Sequence, residues 1–298
     1  MNTVTDITTP RYNIDTAAML VEFNASVWTA RKLDKSTTDE VLQNKRAGSK
    51  GAARVNKHLL ADRPELEKIQ ALINAVRTFV YEHTLPWSDS GLRLLPTMSF
   101  EVFSQRMAAY DEEFNKMVED FVDVYPTLIT AQAMALGDMF KRDDYPTAES
   151  IKAKFAFRVT YLPVPSSGDF RVDVGNAAAQ ELQKQLDRIR QERVDAAMAD
   201  VKARLGDHLK RMSDRLAVDV INGEVKTRRF HDTLVSGALE LCDMVKMLNI
   251  TQDPEVESAR AGLAKILSGV EPDDLRKNME IRTDVRTQVN DLLSKFDF

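Results

Sequence analysis

Along this chain the spacing of hydrophobic positions switches between a period of two and one close to that of a helix. Over 20–28, Val21, Phe23, Ala25 and Val27 alternate with Glu22, Asn24 and Ser26. Such alternation, with β-branched and aromatic members, predicts a half-buried strand, which Trp28 closes. The pattern returns where Phe155, Phe157, Val159 and Tyr161 alternate with Ala156, Arg158 and Thr160, and again at Phe170, Val172 and Val174. Pro163 to Asp169 is a turn by composition, so 155–164 and 169–175 read as a hairpin. An isolated hairpin is marginal in water, and the 20–28 strand is the natural third member. Gly175 ends this sheet.

Helical spacing occupies most of the remainder. After Pro64, which a first turn tolerates, come Leu66, Ile69, Leu72, Ile73, Val76 and Val80. Pro86 and Gly91 break the chain. Thr97 or Ser99 is placed to cap a helix whose stripe runs through Phe100, Phe103, Met107, Tyr110, Phe114, Met117, Phe121 and Val124. The spacing predicts that it stops before Pro126, with a separate helix over 127–141. From Asn176 to Ile221 there is no proline, and the apolar positions from Leu182 to Leu216 mark one face. That predicts a helix of roughly 65–70 Å. Asn222-Gly223 would stop it, and a partner helix over 225–249 would complete a coiled-coil-like hairpin. Asp253-Pro254 is a cap followed by a first-turn proline for a helix ending at Gly269, and final helices cover about 273–296.

The fold class expected is therefore α+β and predominantly helical, with long helices and a small antiparallel sheet (strands near 20–28, 155–164 and 169–175). The expected organisation is a mixed α/β domain over 1–175, carrying a basic loop, with a helical region over 176–298 packed on it. Residues 1–19 are polar and threonine-rich and read as a loosely held arm.

Composition sharpens this picture at a few points. The 298 residues are ample for a buried core, and scarce glycine and proline (11 and 10) argue against an all-β fold. The single cysteine, Cys242, permits no internal disulfide and reads as a buried, inert thiol in a reducing compartment. No basic-then-apolar run opens the sequence and no stretch suits a membrane span, so a cytoplasmic protein is expected.

Charge is unevenly spread. The net charge is −5, yet 31–57 carries eight Lys/Arg against three acids, and no acid occurs from Val41 to Leu60. The cations Arg31, Lys32, Lys35, Lys45, Arg46, Lys50, Arg54 and Lys57 alternate with small residues around Gly48 and Gly51. Such a loop can follow a phosphate chain, and Trp28, with Phe155, Phe157 or Tyr161, offers surfaces on which bases stack. A smaller basic cluster, Lys226, Arg228 and Arg229 beside Phe230 and His231, reads as a helix start rather than an auxiliary contact.

Recognisable catalysis is missing from the sequence. Histidines 58, 83, 208 and 231 are scattered, with neither HExxH nor a paired-cysteine spacing, so no metal site and no cofactor is expected. Gly48-Ser-Lys-Gly51 lacks the Walker spacing, and no nucleophile elbow is present. The carboxylate pairs Glu112-Glu113, Asp143-Asp144 and Asp273-Asp274 read as solvated faces. A binding or scaffolding protein is expected, not an enzyme.

Three short stretches carry a family likeness: Val27-Trp28-Thr29-Ala30-Arg31-Lys32-Leu33, Gly48-Ser49-Lys50, and Lys154-Phe155-Ala156-Phe157-Arg158-Val159. Over roughly 20–175 the chain resembles a phage and bacterial domain family whose genes neighbour MoxR-type AAA+ ATPases and von Willebrand A proteins. In size and layout it also resembles the single-stranded-DNA-binding RNA polymerase cofactors of podoviruses with a giant virion polymerase. The second resemblance implies single-stranded DNA and a phage RNA polymerase as partners in the host cytoplasm. The first implies an alternative, a helical adaptor for the ATPase and its companion. The long helix leaves room for a homo-oligomer.

Overall fold

Among the described residues, chain order begins with a single helical turn, α1 (Ile14–Ala17), which leads directly into strand β1 (Ala18–Ser26). The computed structural model describes residues 14–60, 64–166, 176–221 and 224–296. Strand β2 (Arg31–Leu33), helix α2 (Lys35–Asn44) and strand β3 (Asn56–His58) follow, then helix α3 (Pro64–His83) and strands β4 (Leu85–Pro86) and β5 (Arg93–Pro96). Helix α4 (Phe100–Leu136), short helix α5 (Ala148–Lys152) and strand β6 (Ala156–Leu162) come next. The remainder is helix α6 (Asn176–Arg215), strands β7 (Val218–Ile221) and β8 (Glu224–Thr227), and helices α7 (Thr233–Leu248), α8 (Pro254–Leu267), α9 (Pro272–Lys277) and α10 (Met279–Lys295). The fold is α+β, predominantly helical, with small antiparallel sheets.

The main sheet has four strands in the order β4-β5-β1-β6. The expected neighbours 20–28 and 155–164 are thus adjacent as β1 and β6. The other side of β1 carries a hairpin that the periodicity hid. β5 pairs antiparallel with β1 (Leu20 opposite Leu94) and with β4 (Leu85 opposite Leu94). Pro86 and Gly91 punctuate this hairpin rather than simply breaking the chain. Pro86 lies on an edge strand, where a missing N–H is tolerated, and Gly91 turns with φ +98°. The expected strand 169–175 lies outside the described residues.

Two further expectations give way. α4 does not stop at Pro126 but runs 37 residues through it. Pro126 is exposed, so water can reach the carbonyl that lost its donor, while Tyr125 and Ile129 stay buried on the core side. Tyr125 also donates its hydroxyl to the Pro146 carbonyl at 3.1 Å. The long helix α6 ends at Arg215, about 60 Å by its 40 residues, and the helix expected to partner it begins only at Thr233. Between them lies an antiparallel hairpin, Val218 opposite Thr227 and Ile221 opposite Glu224. Asn222-Gly223, expected to end the long helix, lies outside the described residues.

Compact units interleave in sequence, whereas one cut near 175 was expected. One unit comprises 1–22, 80–103 and 160–298, the other 23–79 and 104–159. The first has its core where the second half of α6 (Val201, Leu205, Leu209, Met212) meets α7, α8 and α10 (Val245, Leu263, Val289). Leu20, Leu85 and Leu94 of the sheet join that core. Cys242 is buried here, and burial raises its thiol to about 11, which keeps it protonated. Arg282, only 2% exposed, donates to the carbonyls of Arg215 (2.7 Å), Leu216 (3.1 Å), Arg228 (2.8 Å) and Leu275 (3.3 Å). It thereby satisfies carbonyls that the end of α6 leaves without helical donors. In the second unit, Leu66, Ile69, Ile73 and Val76 of α3 and Phe114, Phe121 and Tyr125 of α4 are buried. No described helix is long and apolar enough to cross a membrane.

Candidate nucleic-acid interface

The basic run lies wholly within the second unit and is more ordered than a loop. β2 and β3 pair antiparallel, with Arg31 opposite His58, Lys32 opposite Lys57 and Leu33 opposite Asn56. Strand alternation then sorts the side chains by face. Arg31, Leu33, Asn56 and His58 are exposed, while the Lys32–Lys57 pair meets carboxylates. α2 starts at Asp34, whose carboxylate accepts from the Thr37 amide (3.1 Å) and the Ser36 hydroxyl (2.8 Å). This is an N-cap. The Thr37 amide first, then Ser36, with Lys57 adding to them, lower the Asp34 pKa to about 2. The Thr38 hydroxyl donates to the Asp34 carbonyl (2.6 Å) and accepts from the Val55 amide (3.0 Å), which ties the far end of the run back to the helix.

Two of the expected DNA-contacting residues are structural. Lys57 has a side chain only 3% exposed; it pairs with Asp144 and, at 3.6 Å, with Asp34, and donates to the Met139 carbonyl at 2.7 Å. A buried ammonium needs such partners, so Lys57 is withdrawn from any ligand. The sequence alone presents Asp144 as a solvated carboxylate. Burial opposes its ionisation, but hydrogen bonds from Lys32 and Lys57 outweigh that and hold its pKa below the usual range. Trp28 is 6% exposed and packs edge-on against Tyr125 (5.7 Å) and tilted against Phe121 (6.3 Å). It is core, not a free stacking platform. Phe155 is likewise buried against Phe114 and Phe121, and Phe157 packs on Phe23 and Phe114. Tyr161, in the other unit, is partly buried and packs edge-on against Phe100 at 5.2 Å.

Lys32 keeps a half-exposed side chain but is bonded to Asp144 at 2.7 Å. Arg31, Lys35, Lys45, Arg46, Lys50 and Arg54 are all exposed, and none has an ion pair among the described residues. Arg46 holds φ +50°, the left-handed position after a helix that glycine usually fills. Its amide donates to the Gln43 carbonyl and the Ala47 amide to the Leu42 carbonyl, both at 2.9 Å. That paired closure turns the chain out of α2 into the acid-free stretch.

Beside this surface is a cavity of about 250 Å³, lined by Val27, Trp28, Thr29, Arg31, Leu66, Glu67 and Gln70. Sequence reasoning missed it because Glu67 and Gln70 sit one turn apart on α3, far along the chain from Arg31. Among the described residues no group of three His, Cys, Asp or Glu side chains is placed to hold a metal ion. No family model matches the chain, and no curated protein and no solved structure matches it.

Proposed function

We propose that the chain binds single-stranded DNA through its 31–54 surface and acts without catalysis, as a cofactor of a phage RNA polymerase in the host cytoplasm. The observation that carries this reading is the set of exposed cations Arg31, Lys35, Lys45, Arg46, Lys50 and Arg54, none in an ion pair among the described residues, around a stretch with no acid from Val41 to Leu60. Cations already neutralised by carboxylates gain little from phosphate; these have no such partner to give up among the described residues.

A single strand fits better than a duplex. α2 carries exposed Asp39 and Glu40, which a helix entering a groove between phosphates would have to bury against like charge. The cations lie mainly on the turn and stretch that follow α2, and contacts there are to backbone phosphate. Arg31, one of the exposed cations, also lines the cavity with Trp28, where Glu67 and Gln70 are hydrogen-bonding groups. An unpaired base can enter such a cavity, whereas a stacked pair cannot. The role with a polymerase follows from the resemblance in size and layout.

The test is anisotropy of a labelled oligonucleotide with wild type and the quadruple variant Lys45→Ala, Arg46→Ala, Lys50→Ala, Arg54→Ala. Binding should weaken by at least tenfold while the unfolding midpoint moves little. Equal binding by both proteins overturns the assignment of the surface.

One observation favours the adaptor reading. From Ala178 to Ala196 no side chain of α6 is buried, and Ile189 is 39% exposed. This half of α6 is held by side contacts such as Arg190 to Asp15 and Arg193 over Trp87 rather than by a buried stripe, and its remaining surface suits docking to a partner protein. Recovery of a MoxR-type ATPase and a von Willebrand A protein on the tagged chain, together with no oligonucleotide binding, would decide for it.

A further inference from the structure

The first unit contains a second cationic feature, unrelated to the 31–54 surface. A pocket of about 560 Å³ is lined by His208, Arg211 and Arg215 of α6, by Arg229, Phe230 and His231 after β8, and by Thr233 and Leu234 at the start of α7. Helical spacing puts His208, Arg211 and Arg215 on one face of α6, one turn apart. Arg211 has only its Nε engaged, donating to the Asp207 carbonyl at 3.3 Å, and no ion pair holds Arg211, Arg215 or Arg229 among the described residues. The neighbouring carboxylates Asp214 and Asp232 are held by Arg228 and Arg276.

Two details make this a built pocket rather than a chance cluster. The His208 ring is engaged by the Leu234 backbone, but its buried Nε2 has no hydrogen-bond partner among the described residues. A buried polar atom left so is costly, and a ligand that bonds to it removes the cost. The backbone around the pocket is also fixed. Arg282 clamps the carbonyls of Arg215 and Arg228, and Arg286 takes that of Ser213 at 3.1 Å. The carbonyls at the end of α6, which would repel an anion, are thus occupied by guanidinium groups. The guanidinium carbons of Arg276 and Arg282 lie 5.1 and 5.4 Å from the Phe230 ring centre and fix that ring in place. The start of α7 brings the positive end of a helix to the rim.

We infer that this pocket binds a small phosphorylated molecule, its phosphoryl group among Arg211, Arg215, Arg229 and His208 and its organic part against Phe230 and Leu234. Three guanidinium groups around one concavity match the oxygens of a phosphate, and the volume exceeds what a bare phosphate fills. The surface proposed for DNA plays no part in this site.

The experiment is calorimetric titration of the full chain with inorganic pyrophosphate and with AMP. Saturable binding at one site per chain is expected for at least one probe. It should weaken at least tenfold in Arg211→Gln/Arg215→Gln and, separately, in Arg229→Gln, each checked for an unchanged circular dichroism spectrum. Oligonucleotide binding should be the same in these variants as in wild type. Absence of saturable binding by either probe, or binding that survives the arginine replacements, overturns the inference. So does displacement of the bound probe by an oligonucleotide without terminal phosphate, which would make the pocket a nucleic-acid contact.

Discussion

At the scale of single residues, the basic run divides into cations that build and cations that face solvent. Lys57 builds. Its removal leaves the carboxylates of Asp34 and Asp144 without their shared partner, the first 4% and the second 11% exposed. Lys57→Ala should therefore cost about 3 kcal/mol in chemical denaturation, although its charge makes it look like its neighbours in the sequence. Arg46 behaves in the opposite way. A non-glycine residue in the left-handed region carries strain, and Arg46→Gly relieves it. Stability should rise by up to about 1 kcal/mol while oligonucleotide affinity falls. A variant that lost stability would show that Arg46 is held by contacts rather than tolerated for its charge. Charge and spacing made the run legible as a feature. They did not separate Lys57 from Lys45, because the partner Asp144 lies 87 residues further on and only the fold brings it close. The same holds for Trp28, whose neighbours Phe121 and Tyr125 come from α4.

At the scale of elements, long periodic helices and the β1–β6 neighbours were readable from hydrophobic spacing, and short strands were not. β4, with two residues, has too few positions to show a period. β7 and β8 were absorbed into helices because Leu216 and Val218 continue an apolar run. The better signal was Val-Asp-Val-Ile before Asn-Gly and Glu-Val-Lys-Thr after it, β-branched residues flanking a turn dipeptide that favours hairpins. At Pro126 a local rule was overridden by packing: Tyr125 and Ile129 bury on one side while the ring faces solvent on the other. Pro126→Ala restores a backbone donor at no packing cost and should stabilise the chain, by up to about 3 kcal/mol in thermal or denaturant unfolding. A loss of stability would mean that α4 needs a bend there. The pocket-lining Arg229 was visible in the sequence as part of a basic cluster. Its meaning depends on the strand β8 that carries it to face α6.

At the scale of the whole molecule, a chain with net charge −5 gathers its surplus of cations in one short segment. The rest of the chain is acidic on balance, which in the proposed reading would confine DNA to that segment. The proposed polymerase partner and phage context rest on resemblance alone, whereas the exposed cations, the turn at Arg46 and the cavity lined by Arg31 are features of the fold. The central claim is that these cations meet phosphates of a single strand. It is tested most directly by the dependence of oligonucleotide affinity on salt. If Arg31, Lys35, Lys45, Arg46, Lys50 and Arg54 all engage, log affinity falls against log salt with a slope of about −4 for a single strand, and the duplex of the same sequence binds more weakly. Affinity that does not change with salt, or a duplex bound more tightly than its single strand, contradicts the account.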